Sequence, residues 1–326
     1  MKVTVVIPNY NGLHFLDKCL SSMGAQTFDE VRTLVVDNGS TDGSTSYIRE
    51  NFPWVELIEL GENTGFDHAV NVGIEKAQTP YVLLLNNDTE AEPEFVEELC
   101  KAIDVSENIF SVSSKMLNYT KRDIMDDAGD FYSVIGWQFQ RGVGRCESVY
   151  NKPSKVFSAC AGAAIYRKSI LERIGCFDES FFAYLEDIDI GYRAKIQGYE
   201  NVFCPTARVY HVGSGSSGSK YNDFKVSLSS RNSIYLIYKN MPITLIIINF
   251  PALFFGYLVK WLFFVKKGFG GVYLKGITEG IKTCRKNCKK VPFEFKNFGN
   301  YVKIEFELIY GVFLYVYEFI MRRLGK

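Results

Sequence analysis

Asp88 follows an apolar run, Val82 to Leu85, with only Asn86 and Asn87 between them. Such a run reads as a fully buried strand, which puts the acid on the rim of a sheet. Glu90 and Pro93 then read as the opening of a helix. In an open α/β fold that rim is where ligands bind, and a carboxylate there can hold a divalent cation or a sugar hydroxyl. Three more polar clusters lie near predicted strand ends: Pro8-Asn9-Tyr10-Asn11, Asp37 to Ser44, and Glu186-Asp187-Ile188-Asp189 with His211 beyond it. In a parallel sheet the clusters at Pro8, Asp37 and Asn86 share one rim and build a nucleotide pocket from successive loops.

Asp88 and His211 offer one oxygen and one nitrogen ligand. That pair suits Mg²⁺ or Mn²⁺ bridging two phosphates, with substrate and water completing the shell. The competing reading is a packing or surface histidine, although the chain has only three His residues. Asp37 at a strand end can accept hydrogen bonds from a ribose or a base, while Asn38 to Ser44 also reads as a plain Asx-rich turn. This segment carries neither common phosphate fingerprint, since it lacks G-x-G-x-x-G and a following GKS or GKT. Glu186, Asp187 and Asp189 open a helix. Successive residues there differ by about 100° in direction, so the three cannot all serve one atom. One can hold an acceptor while another takes its proton. Helix capping alone explains acids at such a position equally well.

The elements that must position these groups alternate in type. Strands at Val3–Ile7, Val31–Val36, Val55–Glu59 and Val82–Leu85 are separated by helices at Leu13–Met23, Thr41–Glu50 and Phe66–Ala77, and Pro93–Ile103 is a further helix. That alternation implies βαβ units and a mainly parallel sheet with helices on both faces. Ser111–Ser114 reads as a strand, and Asp126–Gly144 resists assignment. Val156–Tyr166, with Gly162 among small residues, reads as a crowded core segment or as chain passing close to a ligand. Arg167–Ile174 is a predicted helix stopped by Gly175. Ile190–Gln197 is another, stopped by Gly198. Val202–Val209 begins as a strand and leads to His211. Gly213 to Gly218 reads as a loop of small residues that either closes over a ligand or simply lies on the surface.

The chain of 326 residues has a formal net charge of zero, so bulk charge does not point to nucleic acid. Lys266 to Lys296 nevertheless holds nine Lys or Arg against two acids, Glu279 and Glu294. The start, Met1 to Asn11, reads as a first strand and not as a signal peptide. The eight cysteines form no C-x-x-C pair and read as free thiols. Ile243 to Val265 has a single charge, Lys260, and is long enough to span a hydrocarbon core. Pro251 and Gly256 could divide it into two shorter helices in one leaflet. A buried core helix is the alternative. The basic stretch beyond it suits anionic headgroups. Leu308 to Met321, apolar and aromatic, reads as a second membrane-contacting helix or as a packing helix.

The pieces VVIPNYN (Val5–Asn11), VVDNGSTDGS (Val35–Ser44), NTGF with Asn71 downstream, LLLNNDT (Leu83–Thr89), FFAYLEDIDIGYRAKIQGY (Phe181–Tyr199) and HVGS (His211–Ser214) occur in the order found in family 2 glycosyltransferases. The chain resembles the bacterial rhamnosyltransferase-like group of that family over roughly the first 235 residues. The resemblance implies a GT-A fold, a nucleotide-sugar donor such as dTDP-rhamnose, and inversion at the anomeric carbon. It implies donor-binding roles for Pro8, Tyr10, Asn11, Asp37, Asn38, Asn63, Gly65, Phe66, Asn86, Asn87 and Asp88. It implies Asp88 and His211 as metal ligands for Mg²⁺ or Mn²⁺, Asp187 as the base, and Glu186 and Asp189 as acceptor-side or supporting acids. Arg231 and Asn232 match a helix that often follows the donor-side loop. The triplet Asn86-Asn87-Asp88 departs from D-x-D at its first position, which weakens the expectation of tight metal binding.

The expected organisation is a GT-A catalytic domain over 1–240 and a hydrophobic, basic, membrane-associated region over 241–326. The expected setting is the cytoplasmic face of the bacterial inner membrane, with a lipid-linked or polysaccharide acceptor and an anionic membrane surface as partners. Two rivals accompany this reading. A nucleotidyltransferase would favour a Gly/Lys phosphate loop after the first strand, yet no Lys or Arg occurs between Pro8 and Lys18. An inactive glycan-binding or scaffold protein is allowed by the missing first acid of D-x-D.

Overall fold

The computed structural model describes residues 1–213 and 221–324. The predicted Gly213–Gly218 loop, Gly213 aside, lies outside the described residues. The first half is the expected alternation: β1 (Val3–Asn9), α1 (Leu13–Gly24), β2 (Val31–Asp37), α2 (Ser44–Asn51), β3 (Glu56–Glu59), α3 (Phe66–Lys76) and β4 (Tyr81–Leu85). These four strands are parallel, in the order β3-β2-β1-β4. The register pairs Asn9 with Asp37, so the ends of β1 and β2 are level and their loops meet on one rim. Alternate side chains enter two cores. Val3, Val5, Ile7, Leu83 and Leu85 pack on one face, and Val6, Val82 and Leu84 pack on the other. Both faces are covered, which is why these strands read as continuous apolar runs.

The second half departs from the mainly parallel expectation. After β5 (Thr89–Ala91) and α4 (Phe95–Asp104) come β6 (Ile109–Asn118), β7 (Met125–Asp127), β8 (Asp130–Tyr132), β9 (Gln138–Gln140), β10 (Ser154–Val156), β11 (Ala163–Arg167), α5 (Lys168–Ile174), α6 (Glu186–Ile196) and β12 (Glu200–His211). β11 is antiparallel to both β4 and β6, while β6 and β12 are parallel, so the ten-stranded sheet is mixed. The physical reason lies in the connections. No α-helix intervenes between β6 and β11, and a strand that returns without a crossover helix pairs antiparallel. The resistant stretch Asp126–Gly144 holds β7 and the small β8–β9 pair.

The remaining helices are α7 (Asp223–Asn240), α8 (Ile243–Lys266), α9 (Gly270–Asn287) and α10 (Phe298–Arg323). α8 is one continuous helix through Pro251 and Gly256, not two. Tertiary contact offsets the hydrogen bond that proline removes. Gly256 sits against the Ile135 carbonyl so closely that a Cβ would lie 2.1 Å from it. Nor is α8 a buried core helix, since only Asn249, Leu253, Gly256 and Phe264 are buried along it. Gly276 and Gly280 let α9 press on α7, where added Cβ atoms would meet Ser230 Oγ and the Arg231 carbonyl. Tyr301, Ile304, Leu308 and Leu314 of α10 share one apolar core with Phe157, Phe181, Tyr192 and Phe203. The tail is therefore packed into the body of the molecule on one face.

Candidate active site

A cavity of about 930 Å³ opens along the rim formed by the ends of β1, β4 and β12. Pro8, Tyr10, Asn38, Asn63, Gly65, Phe66, Asn86, Asn87 and Asp88 all line it. Asn38 stitches the loops together. Its Nδ2 donates to Asn63 Oδ1 at 3.1 Å and to the Gly65 carbonyl at 3.0 Å, and its Oδ1 accepts from Thr64 N at 2.9 Å. Asn87 Nδ2 donates to Asn9 Oδ1 at 2.7 Å, joining β4 to β1. Asp37 and Asn11 stand just behind this lining. Asp37 is buried and accepts from Asn9 Nδ2 at 3.0 Å and Ser40 N at 2.9 Å, while Asn11 Oδ1 accepts from Thr41 N at 2.8 Å. Both shape the loops that face the cavity.

Asp88 and His211 come together through the sheet. The short strand β5 folds back on β12 and pairs Thr89 with His211, and Val212 N donates to the Asp88 carbonyl at 3.0 Å. His211 Nε2 then lies 3.3 Å from Asp88 Oδ1. Its other nitrogen, Nδ1, is 2.6 Å from Asp126 Oδ2. Burial alone would lower the histidine pKa, but hydrogen bonds and charge from Asp126 and Asp88 outweigh it and raise the value to about 10. The site thus favours a positive charge between two carboxylates. A carboxylate, an imidazole facing it, and a second carboxylate fixing the ring is a donor set that fits a divalent cation.

Across the cavity, Asp187 sits in the first turn of α6 and lines the same space. The turn before it is strained. Phe182, Tyr184 and Leu185 have φ of 68°, 70° and 71°, the left-handed region that L residues rarely adopt. Asn232 on α7 holds that turn by donating from Nδ2 to the carbonyls of Phe181, Ala183 and Tyr184 at 2.8–3.0 Å. Arg231 Nη2 adds bonds to the carbonyls of Ser180 and Phe181 at 3.0 and 2.8 Å. Phe66 N donates to the Phe182 carbonyl at 2.7 Å, and a Cβ on Gly65 would meet that oxygen at 2.8 Å, so only glycine fits there.

The three acids of this helix start face different ways. Burial raises the Asp187 pKa, and a hydrogen bond from Asp130 pulls it partly back. Glu186 also lines the cavity. Burial, with the charges of Asp67 and Asp187, raises its pKa well above the usual range. Asp189 turns away into the protein, where it accepts from Arg193 Nε at 2.9 Å, Lys239 Nζ at 2.9 Å and Asn240 Nδ2 at 2.7 Å. It ties α6 to α7 and is not part of the cavity lining.

One wall was only partly foreseen from the sequence. Asp126, Gln138, Gln140, Cys160 and Gly162 line the cavity from β7, β9 and the chain before β11. Gln138 Nε2 donates to Asp130 Oδ1 at 2.7 Å, and Gln140 Nε2 donates to Asp127 Oδ2 at 3.1 Å. Burial, above all, raises Asp127 to about 7 and Asp130 well above its usual value. Asp127, Asp130 and Cys160 bring ligand atoms within 4.8 Å of one another, but burial favours their neutral forms, which suits proton sharing better than cation holding. The available signal was three acids within five residues, Asp126-Asp127-Ala128-Gly129-Asp130, in an otherwise apolar and aromatic stretch. Gly162 lines the cavity, and the Asn86 backbone N–H donates to its carbonyl at 2.8 Å.

The mixed sheet, the rim cavity and an acid–histidine pair facing a helix-borne carboxylate define the class as a GT-A glycosyltransferase. Solved structures agree on the fold. TarS of S. aureus in complex with UDP-GlcNAc superposes with a TM-score of 0.59 at 16% identity over 95% of this chain and 92% of that one. A mannosyltransferase from Pyrobaculum calidifontis, in complex with GDP-Man and Mn²⁺, gives 0.56 at 14% identity over 98% and 87%. The model of glycosyl transferase family 2 matches residues 4–175, more than half of the chain, and the chain belongs to that family, in its rhamnosyltransferase-like group. The N-acetylglucosaminyl-diphospho-decaprenol L-rhamnosyltransferase of Mycobacterium tuberculosis is 26% identical over 239 residues, 66% of this chain and 77% of that protein. The low-salt glycan biosynthesis hexosyltransferase of Haloferax volcanii is 25% identical over 246 residues, 72% and 76% of the two chains. The nucleotidyltransferase reading falls with the family assignment.

Proposed function

We propose that this glycosyltransferase moves a sugar, with inversion, from a nucleotide-sugar donor to a hydroxyl of a lipid-linked saccharide during synthesis of a cell-surface glycan. The observation that carries the reading is the convergence of Asp187 with Asp88 and His211 on one cavity lined by the rim loops. The asparagine-stitched rim would hold the nucleotide. Asp88 and His211 would hold Mg²⁺ or Mn²⁺, with Asp126 fixing the ring; when bound, the cation offsets charge on the departing diphosphate. Asp187, raised in pKa by its burial, would take the proton of the acceptor hydroxyl as that oxygen attacks the anomeric carbon. Relatives support the acceptor class, since one is named for a diphospho-decaprenol substrate. dTDP-rhamnose is the first donor to try on the same ground. The division at residue 240 and placement at the cytoplasmic face of the inner membrane belong to this proposal, supported by the exposed apolar helix α8.

The test is a panel of nucleotide sugars with Mn²⁺ or Mg²⁺ and a lipid-linked saccharide acceptor, reading released nucleoside diphosphate and the anomeric configuration of the product. Asp187→Asn should keep donor affinity and lose about 10²–10⁴-fold in kcat. Transfer by that variant near the parent rate, or a retained configuration, would overturn the proposal.

A further inference from the structure

Lys260 is the one charge in α8 before Lys266 at the helix's C-terminal end, and its position on that helix is informative. The buried residues of α8 are Asn249, Leu253, Gly256 and Phe264. Lys260 continues their spacing of three and four, so it lies on the inward stripe and not on the exposed apolar face. It lines the cavity that holds Asp88 and Asp187. Among the described residues it has no ion pair and no hydrogen bond, although acids are plentiful elsewhere around the cavity. Tyr273 of α9 lines the same cavity, stacks on Phe264 at 5.3 Å between ring centroids, and is 2% exposed. Its hydroxyl is buried without a hydrogen-bond partner.

A half-buried ammonium and a buried hydroxyl left without partners are both costly in an apolar setting, and an anionic ligand would relieve both costs. Two phosphate sources could reach them: the donor's diphosphate or a phosphate on the acceptor. The placement favours the acceptor. The donor side of the cavity already has its own charged pair, Asp88 and His211, on the strand ends. Lys260 instead enters from the helix whose opposite face exposes Ile247, Phe250, Phe254 and Leu258, the side from which a lipid-linked molecule would arrive.

We propose that Lys260 and the Tyr273 hydroxyl form the anion subsite for the phosphate that joins the acceptor's first sugar to its lipid. This rests on the lipid-linked acceptor reading above. The subsite would seat the linking phosphate between the exposed apolar helix and the catalytic carboxylate, so that the sugar alone extends toward Asp187.

The experiment uses the full chain in detergent with two acceptors, a short prenyl-diphosphate sugar and an alkyl glycoside of the same sugar. Lys260→Met keeps the aliphatic stem, and Tyr273→Phe keeps the stack on Phe264. In each, the preference for the phosphate-bearing acceptor, as a ratio of kcat/KM values, should fall at least about tenfold, through KM. Lys260→Arg should recover part of it. Binding of farnesyl diphosphate by calorimetry should weaken in parallel, which reads the subsite without any transfer. A weakened donor Kd with unchanged acceptor preference would assign the lysine to the donor and overturn the proposal. So would unchanged farnesyl diphosphate binding in both variants while the parent enzyme uses the prenyl-diphosphate sugar. If the parent uses the alkyl glycoside but shows no preference for the prenyl-diphosphate sugar, the lipid-linked reading itself fails, and the subsite with it.

Discussion

Two carboxylates bear on the residues proposed to hold the metal and to take the proton: Asp126 on His211, and Asp130 on Asp187. Asp126 holds His211 Nδ1 at 2.6 Å, which turns Nε2 toward Asp88. An orienting carboxylate of this kind typically contributes 10–100-fold to metal affinity. Asp126→Ala should therefore raise the Mn²⁺ concentration for half-maximal activity by about that factor. Titration of the cation at saturating donor reads it, and an unchanged midpoint would deny Asp126 the role. Asp130 acts on Asp187. Burial favours the neutral form of its own carboxyl, whose hydrogen bond to Asp187 holds that proposed base below the pKa that burial alone would give it. A base works when deprotonated, so kcat should rise with pH through the Asp187 pKa. Asp130→Ala removes the donor, the Asp187 pKa rises, and the rising limb should move to higher pH. Asp130→Asn keeps an N–H donor and should stay nearer the parent profile. A limb that does not move in Asp130→Ala would separate the two acids.

At the scale of elements, Asp187, the proposed base, is positioned by a turn that the chain adopts only under constraint. Three left-handed non-glycine residues in a row of four cost of order 1–3 kcal/mol each. Asn232 satisfies three carbonyls of that turn, and Arg231 supports two. Asn232→Ala leaves those buried oxygens unmet, at roughly 1–3 kcal/mol. The expected result is a lower Tm together with a fall in kcat larger than any change in donor Kd, because the turn leads into Asp187 while the donor rim stands on other strands. An unaltered kcat in a destabilised protein would confine Asn232 to stability. These two residues were visible in the sequence as Arg231-Asn232 on a helix, but their target was not. A side chain that caps a turn fifty residues earlier leaves no periodic trace.

The same limit explains what else was legible. Asp88 follows a buried strand, His211 ends one and Asp187 opens a helix, so apolar runs pointed to them. Asp126, Asp127 and Asp130 lie on strands of three residues, too short for any alternation to show. β11 was ambiguous because a fully buried antiparallel strand has no polar face to betray its direction. The continuity of α8 was hidden by Pro251, whose local rule predicts a break that packing at Gly256 overrides.

Over the whole molecule, the tail helices bury one face and expose the other. On α8, Ile243, Ile247, Phe250, Phe254 and Leu262 are exposed, and on α10, Val302, Phe306, Ile309, Phe313, Val316 and Ile320 follow the same three-and-four spacing. Scattered exposed apolar residues need no explanation, but two long stripes do. α9, between them in sequence, adds Lys275, Lys282, Arg285 and Lys286. Apolar stripes with nearby basic charge suit an anionic bilayer surface. Each buried phenylalanine is worth about 1.5–3 kcal/mol, so moving two out of a bilayer should weaken partitioning by at least about 100-fold. The double variant Phe250→Asp, Phe254→Asp should thus remain folded, because both side chains point away from the body, and should cease to float with vesicles containing phosphatidylglycerol. Its kcat on a detergent-dispersed acceptor should hold, while its rate on the same acceptor in vesicles should fall. Undiminished flotation would place the membrane contact elsewhere. A collapse of kcat in detergent as well would mean that the exposed face of α8 supports the cavity rather than the bilayer, through the same helix that carries Lys260 into the cavity lining.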